Sequence, residues 1–120
     1  MNVLIALGSN YCHEHNLAIA RCRLAHIMDS ISFSEALWTE PIGMDGDRFL
    51  NQICSGFTHL SFCELQSQLK DIEASCGRSV QNCRMNTIPL DLDILLYDNK
   101  RYHEKDWSRP YIRQLISLMG

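Results

Sequence analysis

The sequence predicts an α+β fold, in which an antiparallel sheet is backed by two helices, and three observations lead to it. Four aliphatic stretches of strand length lie between Gly, Pro, Asn or Asp turn residues. Two further stretches repeat apolar residues at the spacing of an amphipathic helix. The 120 residues have room for one modest core, and 46% hydrophobic and 21% charged residues are ordinary for a globular protein. We therefore expect a single domain over residues 1–120.

The first half of the chain is predicted to contain one helix and three strands. The apolar stretch of residues 2–7 is a strand that ends at the turn Gly8-Ser9-Asn10. An apolar stripe at three- and four-residue spacing then predicts a helix over about residues 13–28. Residues 31–38 and 49–58 read as the second and third strands, joined by a loop that contains Pro41 and two Gly residues.

The second half adds a helix, a strand and a final helix. Ser61-Phe62-Cys63-Glu64 has the pattern of a capping box, and an apolar stripe continues from it to a closing Gly77. Residues 89–97 are a strand, followed by a turn at Asp98-Asn99, and Pro110 suits the first turn of a helix over residues 111–119. The order strand, helix, strand, strand, helix, strand is that of the ferredoxin-like split βαβ arrangement.

The last predicted strand carries an acidic pair. Leu90, Leu92 and Ile94 alternate with Asp91 and Asp93, so the carboxylates leave by one face and the aliphatic side chains by the other. Asp is a poor strand former, and this cost suggests a use. Two carboxylates on one face can converge on hard cations, and Mg²⁺ takes oxygen ligands together with water and substrate phosphates. The pair indicates a magnesium–nucleotide site; the alternative interpretation is a sheet with one hydrated face.

Charge is distributed unevenly along the chain. The formal net charge of −3 argues against a general nucleic-acid binder. Residues 1–77 hold nine acidic and four basic residues, whereas residues 78–120 hold five acidic and seven basic ones. The basic third therefore surrounds the acidic pair, where a polyphosphate carried on Mg²⁺ needs both signs of charge.

The cysteines and apolar runs bear on compartment and partners. Six cysteines form no C-x-x-C pair and fall mostly in predicted elements, so we expect buried, reduced thiols instead of a zinc site or disulfides. The apolar start is too short for a signal peptide, and no apolar run reaches membrane length. We expect a cytoplasmic monomer that acts on small molecules, without nucleic acid or a membrane.

A platform for a flat heterocycle is predicted after the long loop of residues 39–48. Long loops in compact domains are often functional. Phe49 and Asn51 follow the loop at positions i and i+2, hence on one face of a strand. An aromatic ring can stack on a heterocycle, and an amide offers both a donor and an acceptor. A core Phe beside a strand-end Asn explains the pair equally well.

Several stretches, taken in order, resemble one family, the 6-hydroxymethyl-7,8-dihydropterin pyrophosphokinases of folate biosynthesis. Leu90-Asp91-Leu92-Asp93-Ile94 is similar to the family's signature strand, and Ala6-Leu7-Gly8-Ser9-Asn10 to its N-terminal strand and turn. Thr39-Glu40-Pro41-Ile42-Gly43, followed by Phe49-Leu50-Asn51, resembles its pterin-binding loop and strand. Shorter matches to the family are Gly77-Arg78, His103, Arg109 and Tyr111. The resemblance covers nearly the whole chain.

The resemblance implies an activity and a set of roles. Members of the family transfer a pyrophosphoryl group from ATP, the co-substrate, to the hydroxymethyl oxygen of the pterin and release AMP. By resemblance, Asp91 and Asp93 would hold two Mg²⁺ ions and act in catalysis with Arg78. The residues implied for the pterin are Thr39, Ile42, Phe49, Asn51 and Tyr111, with the two aromatic rings on either side of it. The residues implied for ATP are Glu73, Arg84, Ile94, His103 and Arg109.

Two departures from the family pattern leave alternatives open. The family usually has Arg-Trp-Gly-Pro-Arg before its signature strand, where this chain has Arg84-Met85-Asn86-Thr87-Ile88. Ile88 in place of Arg removes a charge-assisted phosphate contact worth about 1.5–3 kcal/mol. The segment between Asp93 and His103 is also shorter than in typical members. An active pyrophosphokinase is expected first; the alternatives are a pterin- or nucleotide-binding module without turnover and a ferredoxin-like interaction domain.

Overall fold

The computed structural model describes residues 1–40, 48–79 and 87–118. It confirms the predicted α+β fold, with one six-stranded antiparallel sheet and helices packed on it. The strands are β1 (Asn2–Ser9), β2 (Asp29–Phe33), β3 (Leu37–Thr39), β4 (Phe49–Phe57), β5 (Asp91–Tyr97) and β6 (Lys100–Arg101). The helices are α1 (His13–Ile27), α2 (Phe62–Ser75), α3 (Glu104–Trp107) and α4 (Pro110–Leu118).

The sheet has the topology that the order of the elements predicts. Its strand order is β2-β4-β1-β5-β6, with β3 also paired to β4. The central strand β1 runs antiparallel to both β4 and β5. Because β4 lies between β1 and β2, the unit β1-α1-β2 is split, as in a ferredoxin-like fold. The first strand, β1, therefore lies between β4 and β5 in the middle of the sheet.

Each face of the sheet has its own core. Helices α1 and α2 pack on the face that buries Leu90, Leu92 and Ile94. Helix α4 packs on the opposite face, against Ile53 and Leu95. The alternation predicted for the acidic strand is therefore confirmed, and the acidic pair lies on the face that α4 covers.

The predicted start of the second helix is confirmed. The Glu64 backbone N–H donates to Ser61 Oγ across 3.2 Å, and the Ser61 N–H donates to Glu64 Oε1 across 3.0 Å. This reciprocal pair satisfies two of the N–H groups that a helix start leaves without intrahelical partners. At the other end, Gly77 has φ +91°, a left-handed conformation that glycine adopts without strain.

The single strand predicted over residues 31–38 is wrong, because the chain divides there into β2 and β3. Ser34 pairs with Ile53 through its backbone N–H, which donates across 2.8 Å, and through its Oγ, which accepts the Ile53 N–H across 2.9 Å. The next pair is Leu37 with Asn51. Between these two pairs the segment advances by three residues, whereas β4 advances by two. One extra residue therefore interrupts the ladder as a bulge.

The expectation that the cysteines are mostly buried is also wrong for the described residues. Cys54 is buried, but Cys12, Cys22 and Cys63 are exposed free thiols and Cys76 is half-buried. The exposed ones lie next to or on helices, on sides that neither core covers. Within the described ranges, no helix has the length and apolar character needed to cross a membrane.

Candidate active site

A row of residues crosses four neighbouring strands at the site. Asp91 of β5 pairs with Gly8 of β1, Gly8 pairs with Asn51 of β4, and Asn51 pairs with Leu37 of β3. Directly paired residues of antiparallel strands share a face of the sheet. The register thus places the Asp91 carboxylate and the Asn51 amide on either side of Gly8.

Gly8 supplies the space between these side chains. A Cβ atom at Gly8 would lie 3.2 Å from Oδ1 of Asn51 and 3.6 Å from Cδ1 of Phe49. The prediction that the first strand ends before Gly8 is wrong, because Gly8 pairs with both β4 and β5 and Ser9 pairs with β4. Gly8 is needed here for the close approach of its neighbours.

A cavity of about 230 Å³, the first cavity, opens on this face of the sheet. Its wall includes most of the residues predicted for the pterin, together with both aspartates: Thr39, Phe49, Asn51, Tyr111, Asp91 and Asp93. The predicted contact at Ile42 lies outside the described residues. Two aromatic rings, an amide and a hydroxyl around one concave surface can take a flat polar ring beside the carboxylates.

The polar side of the first cavity is pre-arranged by Asn51. Its Nδ2 donates to Thr39 Oγ1 across 2.6 Å, and the residue is only 8% exposed. Since Nδ2 is used in this way, Oδ1 is the acceptor that a bound ring N–H could reach. The contact also ties β3 to β4 at the mouth of the cavity.

The two carboxylates of the acidic pair repel each other in a partly dry environment. Burial, followed by the charge of Asp91 and a hydrogen bond to it, raises the pKa of Asp93 to about 8. His103 also lies near Asp93, with Nε2 3.7 Å from Oδ1. A cation between the carboxylates would relieve this repulsion and favour the ionised form of Asp93.

The acidic pair fits Mg²⁺ of the kind that a nucleotide carries. Among residues 1–40, 48–79 and 87–118, no group of three His, Cys, Asp or Glu side chains could hold a metal by itself. Mg²⁺ is bound in nucleotide sites by one or two carboxylates, with water and phosphate oxygens completing its shell. Asp91 and Asp93 would be those carboxylates.

A network of charges fixes Asp91 from the side of α2. Arg78 Nη1 donates to Asp91 Oδ1 across 2.6 Å and to Glu73 Oε2 across 2.7 Å. The same Glu73 oxygen accepts the Leu92 backbone N–H across 2.8 Å. Burial raises the pKa of Glu73, although the hydrogen bond from the Leu92 N–H and the charge of Arg78 act to lower it. Glu73, predicted for the nucleotide, therefore also links α2 to the acidic strand.

A second cavity, of about 260 Å³, lies on the α2 side of the acidic strand. Six residues from the predicted catalytic and ATP sets line it: Glu73, Arg78, Asp91, Asp93, Ile94 and His103. The Ile94 side chain is nevertheless 4% exposed and belongs mainly to the core. Asp91 and Asp93 line both cavities. The acidic pair thus lies between two cavities, one lined by aromatic rings and an amide and one with basic groups.

The remaining residues predicted for ATP are placed differently or lie outside the described residues. Arg109 lines the first cavity and not the second. Arg84, with Met85 and Asn86, lies outside the described residues, whereas Ile88 is described and lines the first cavity.

Asp106 and Asn10 were not predicted as site residues. Asp106 lines the first cavity and accepts a hydrogen bond from Arg109 Nε across 2.9 Å. Its position three residues before Arg109 indicates such a pair on a helical turn, but not which cavity the pair borders. Asn10 Oδ1 accepts the Ile88 N–H across 2.6 Å and so holds Ile88 at the cavity wall. No local pattern links residues so far apart in the chain.

Comparisons with known proteins agree with the geometry. Residues 4–118 match the model of the family described as 7,8-dihydro-6-hydroxymethylpterin-pyrophosphokinase. Two proteins of Arabidopsis thaliana, named folate synthesis bifunctional protein and folate synthesis bifunctional protein, mitochondrial, are 37% and 36% identical over 98% of this chain. A folate synthesis bifunctional protein of Chlamydia caviae is 35% identical over the same share.

These relatives are much longer than the chain, which spans 27%, 23% and 30% of their respective lengths. The family match, by contrast, covers nearly every residue and includes both acidic residues and the strands around the two cavities. It confirms the resemblance drawn from the sequence motifs. The chain therefore belongs to the 7,8-dihydro-6-hydroxymethylpterin-pyrophosphokinase family, a family of ATP-dependent pyrophosphokinases.

Proposed function

We propose that residues 1–120 form one domain that transfers a pyrophosphoryl group from ATP to the hydroxymethyl group of 6-hydroxymethyl-7,8-dihydropterin, with Mg²⁺, and releases AMP. The observation that carries the proposal is the position of Asp91 and Asp93 between the two cavities. The acceptor and the donor of the group can approach this pair from opposite sides. The free cysteines favour a reducing compartment such as the cytoplasm.

The first cavity would take the pterin. Phe49 and Tyr111 offer rings for stacking, and Asn51 Oδ1 accepts a ring N–H while Thr39 holds the amide in place. Aromatic stacking and a fixed amide orient a flat ring and keep its hydroxymethyl group at one end. In that position the hydroxymethyl group would face the acidic pair, which lines the same cavity.

The second cavity would take the nucleotide. His103 and Arg78 lie on its wall close to the carboxylates, where phosphate charge needs compensation. Asp91 and Asp93 would bind two Mg²⁺ ions, which would neutralise charge on the phosphate oxygens. The bond that forms joins the pterin hydroxymethyl oxygen to the β-phosphorus, and the hydroxyl proton is released to solvent. The bond that breaks joins the β-phosphorus to the oxygen that bridges it to the α-phosphorus, and this oxygen leaves with AMP. The contribution of the chain is to position the two substrates and exclude water.

The second candidate function is a pterin- or nucleotide-binding module without turnover. The observation in its favour is Ile88, which lines the first cavity at the position where the resemblance implies an arginine. An apolar side chain offers nothing to a phosphate, so a substrate could bind without the transfer step being supported.

The test is the release of AMP from ATP and Mg²⁺, with and without 6-hydroxymethyl-7,8-dihydropterin. Asp93→Asn removes one carboxylate at constant size, and Asp98→Asn is the matched control, because Asp98 is exposed in the turn after the same strand. We expect pterin-dependent AMP from the wild type and the control, and almost none from Asp93→Asn. Wild-type protein that binds the pterin but forms no AMP would support the binding module instead.

A further inference from the structure

An ion pair lies in the wall of the first cavity, away from the Arg78 network. Arg109 Nε donates to Asp106 Oδ1 across 2.9 Å, and the two side chains are 32% and 27% exposed. Both residues border the cavity that also exposes Asp91 and Asp93. The acidic pair is thus flanked on this side by an arginine that already has a carboxylate partner.

The backbone around Asp106 is held in a defined place. The indole Nε1 of Trp107 donates to the backbone oxygens of Leu95 and Tyr102 across 3.2 and 3.0 Å, which ties α3 to β5. The Asp106 N–H donates to the His103 oxygen across 2.8 Å, and the Arg109 N–H donates to the Asp106 oxygen across 3.0 Å. These contacts keep the Asp106 carboxylate at the cavity wall without a contribution from its side chain.

Three carboxylates therefore compete for one guanidinium group. Asp91 and Asp93 line the same cavity as Arg109, and a loose arginine would be drawn to them because opposite charges attract strongly in a partly dry site. The pairing with Asp106 uses Nε, which leaves the two terminal NH₂ groups as donors in the planar fork that suits phosphate oxygens. Among the described residues, Arg109 has no further ion pair.

The negative charge of Asp106 also acts on Tyr111, another residue that lines the first cavity. Burial, and after it the charge of Asp106, raises the pKa of Tyr111. Tyr111 is one of the two rings proposed to enclose the pterin, so Asp106 lies close to where that substrate would be bound.

We propose that Asp106 is a positioning residue that holds the Arg109 guanidinium at the wall of the first cavity. The terminal NH₂ groups of Arg109 then donate to the phosphate oxygens of the transferred group. The same contact keeps the guanidinium from pairing with Asp91 and Asp93. The inference rests on the proposed function and extends it to a residue that binds no substrate itself. Asp106 acts through Arg109, and this dependence is what an experiment can measure.

The test is a double-mutant cycle on Asp106→Asn and Arg109→Ala. We expect Asp106→Asn to lower kcat/KM for pterin-dependent AMP formation about ten-fold in the wild-type background and to have almost no effect once Arg109 is alanine. Asp106→Glu, which restores the charge, should recover most of the loss. Glu104→Gln is the matched control, since it removes the same charge from an exposed position of the same turn.

A binding measurement completes the cycle without depending on turnover. Calorimetry with the Mg²⁺ complex of α,β-methylene-ATP in the presence of pterin should show the same loss of affinity in Asp106→Asn, again only while Arg109 is present. Thermal melts should show that Asp106→Asn remains folded, and Asp106→Glu offers a second variant if it does not.

The outcomes separate the inference from the proposed function. A loss of equal size in the Arg109→Ala background, or an equal loss from Glu104→Gln, would overturn the role of Asp106 while wild-type turnover stands. Wild-type protein that forms no AMP would refute the proposed activity, and the calorimetric cycle would still decide whether Asp106 acts through Arg109. Wild-type protein that binds no analogue would refute both.

Discussion

Arg78 donates from Nη1 to Oδ1 of Asp91 across 2.6 Å, and this contact makes the two members of the acidic pair unequal. Asp91 has a cation at hydrogen-bond distance, whereas Asp93 has His103 at 3.7 Å and a pKa raised to about 8 by burial and by Asp91. The pair is thus held partly neutral in the protein alone. A bound divalent cation would then supply the positive charge that Arg78 and His103 provide to the two carboxylates only in part.

Glu73 should contribute to folding as well as to the site, because one of its oxygens accepts from both Arg78 and the Leu92 backbone. Glu73→Gln should lower the free energy of unfolding by about 1–3 kcal/mol, since a partly buried charge-assisted network loses its anion. Urea denaturation of the metal-free protein measures this. Asp71→Asn, an exposed change on the same helix, is the control and should leave the midpoint almost unchanged. Equal effects from both substitutions would contradict the prediction.

Gly8 should matter more for substrate binding than for stability. The Cβ of Gly8→Ala would lie 3.2 Å from Asn51 Oδ1, so the amide has to shift by a few tenths of an ångström. We expect KM for the pterin to rise about ten-fold, because the displaced group orients the substrate. Steady-state AMP release at varied pterin concentration checks this, with thermal melts in parallel.

Gly56→Ala is the contrasting substitution for this prediction. Its Cβ would lie 2.8 Å from Met28 Cε and 3.1 Å from the Asp29 oxygen, in the core and away from either cavity. Overpacking of this kind typically costs about 1–3 kcal/mol. It should therefore lower the melting temperature and leave KM for the pterin unchanged. A Gly8→Ala variant that melts early but binds normally would reverse our assignment.

The stability of the metal-free protein should fall as the pH rises from about 4 to about 8. Asp93 in the folded protein keeps its proton up to about pH 8, whereas its ordinary pKa is 3.8, so the folded state binds more protons across this window. Stability decreases with pH wherever the folded state binds more protons than the unfolded state. The contribution is complete below the unfolded pKa and is lost as the pH passes the folded pKa.

Asp93→Asn tests this directly, because asparagine does not titrate. In EDTA, its melting temperature should exceed that of the wild type by several degrees at pH 8 and match it closely near pH 4. Asp98→Asn should follow the wild-type profile, since Asp98 is exposed. Parallel profiles for Asp93→Asn and the wild type would show that folding does not raise the pKa of Asp93.

An arginine at position 88 should strengthen the binding of ATP through the phosphates at the acidic pair, since Ile88 lines the first cavity together with Asp91 and Asp93. Asn10 holds the backbone of Ile88 by hydrogen bonds of 2.6 and 3.0 Å, so a longer side chain there would begin from a fixed point at the cavity wall. Ile88→Arg should lower KM for ATP about ten-fold through a charge-assisted contact. Ile88→Met, which changes shape without charge, should have little effect on KM for ATP. An unchanged KM for Ile88→Arg would indicate that the nucleotide phosphates do not approach this wall.

Local sequence patterns were sufficient for most of the helices and strands. The capping box at Ser61 and the apolar stripe after it predicted α2, because both depend on residues within a few positions of each other. The break between β2 and β3 escaped prediction, because Ser34 uses its hydroxyl to pair with Ile53, on another strand. Strand propensity describes a segment by itself and does not register such a partner.

The sequence alone was enough to place Asp91 and Asp93 on one face and Leu92 on the other, since side chains alternate along any strand. It was also enough to place Phe49 and Asn51 together. Which residues meet the acidic pair was decided only in the tertiary structure, by the register that aligns Gly8 with Asn51 and Asp91. Pairing between residues so distant in the chain follows from the packing of α1, α2 and α4 on the two faces of the sheet, and no local pattern contains it.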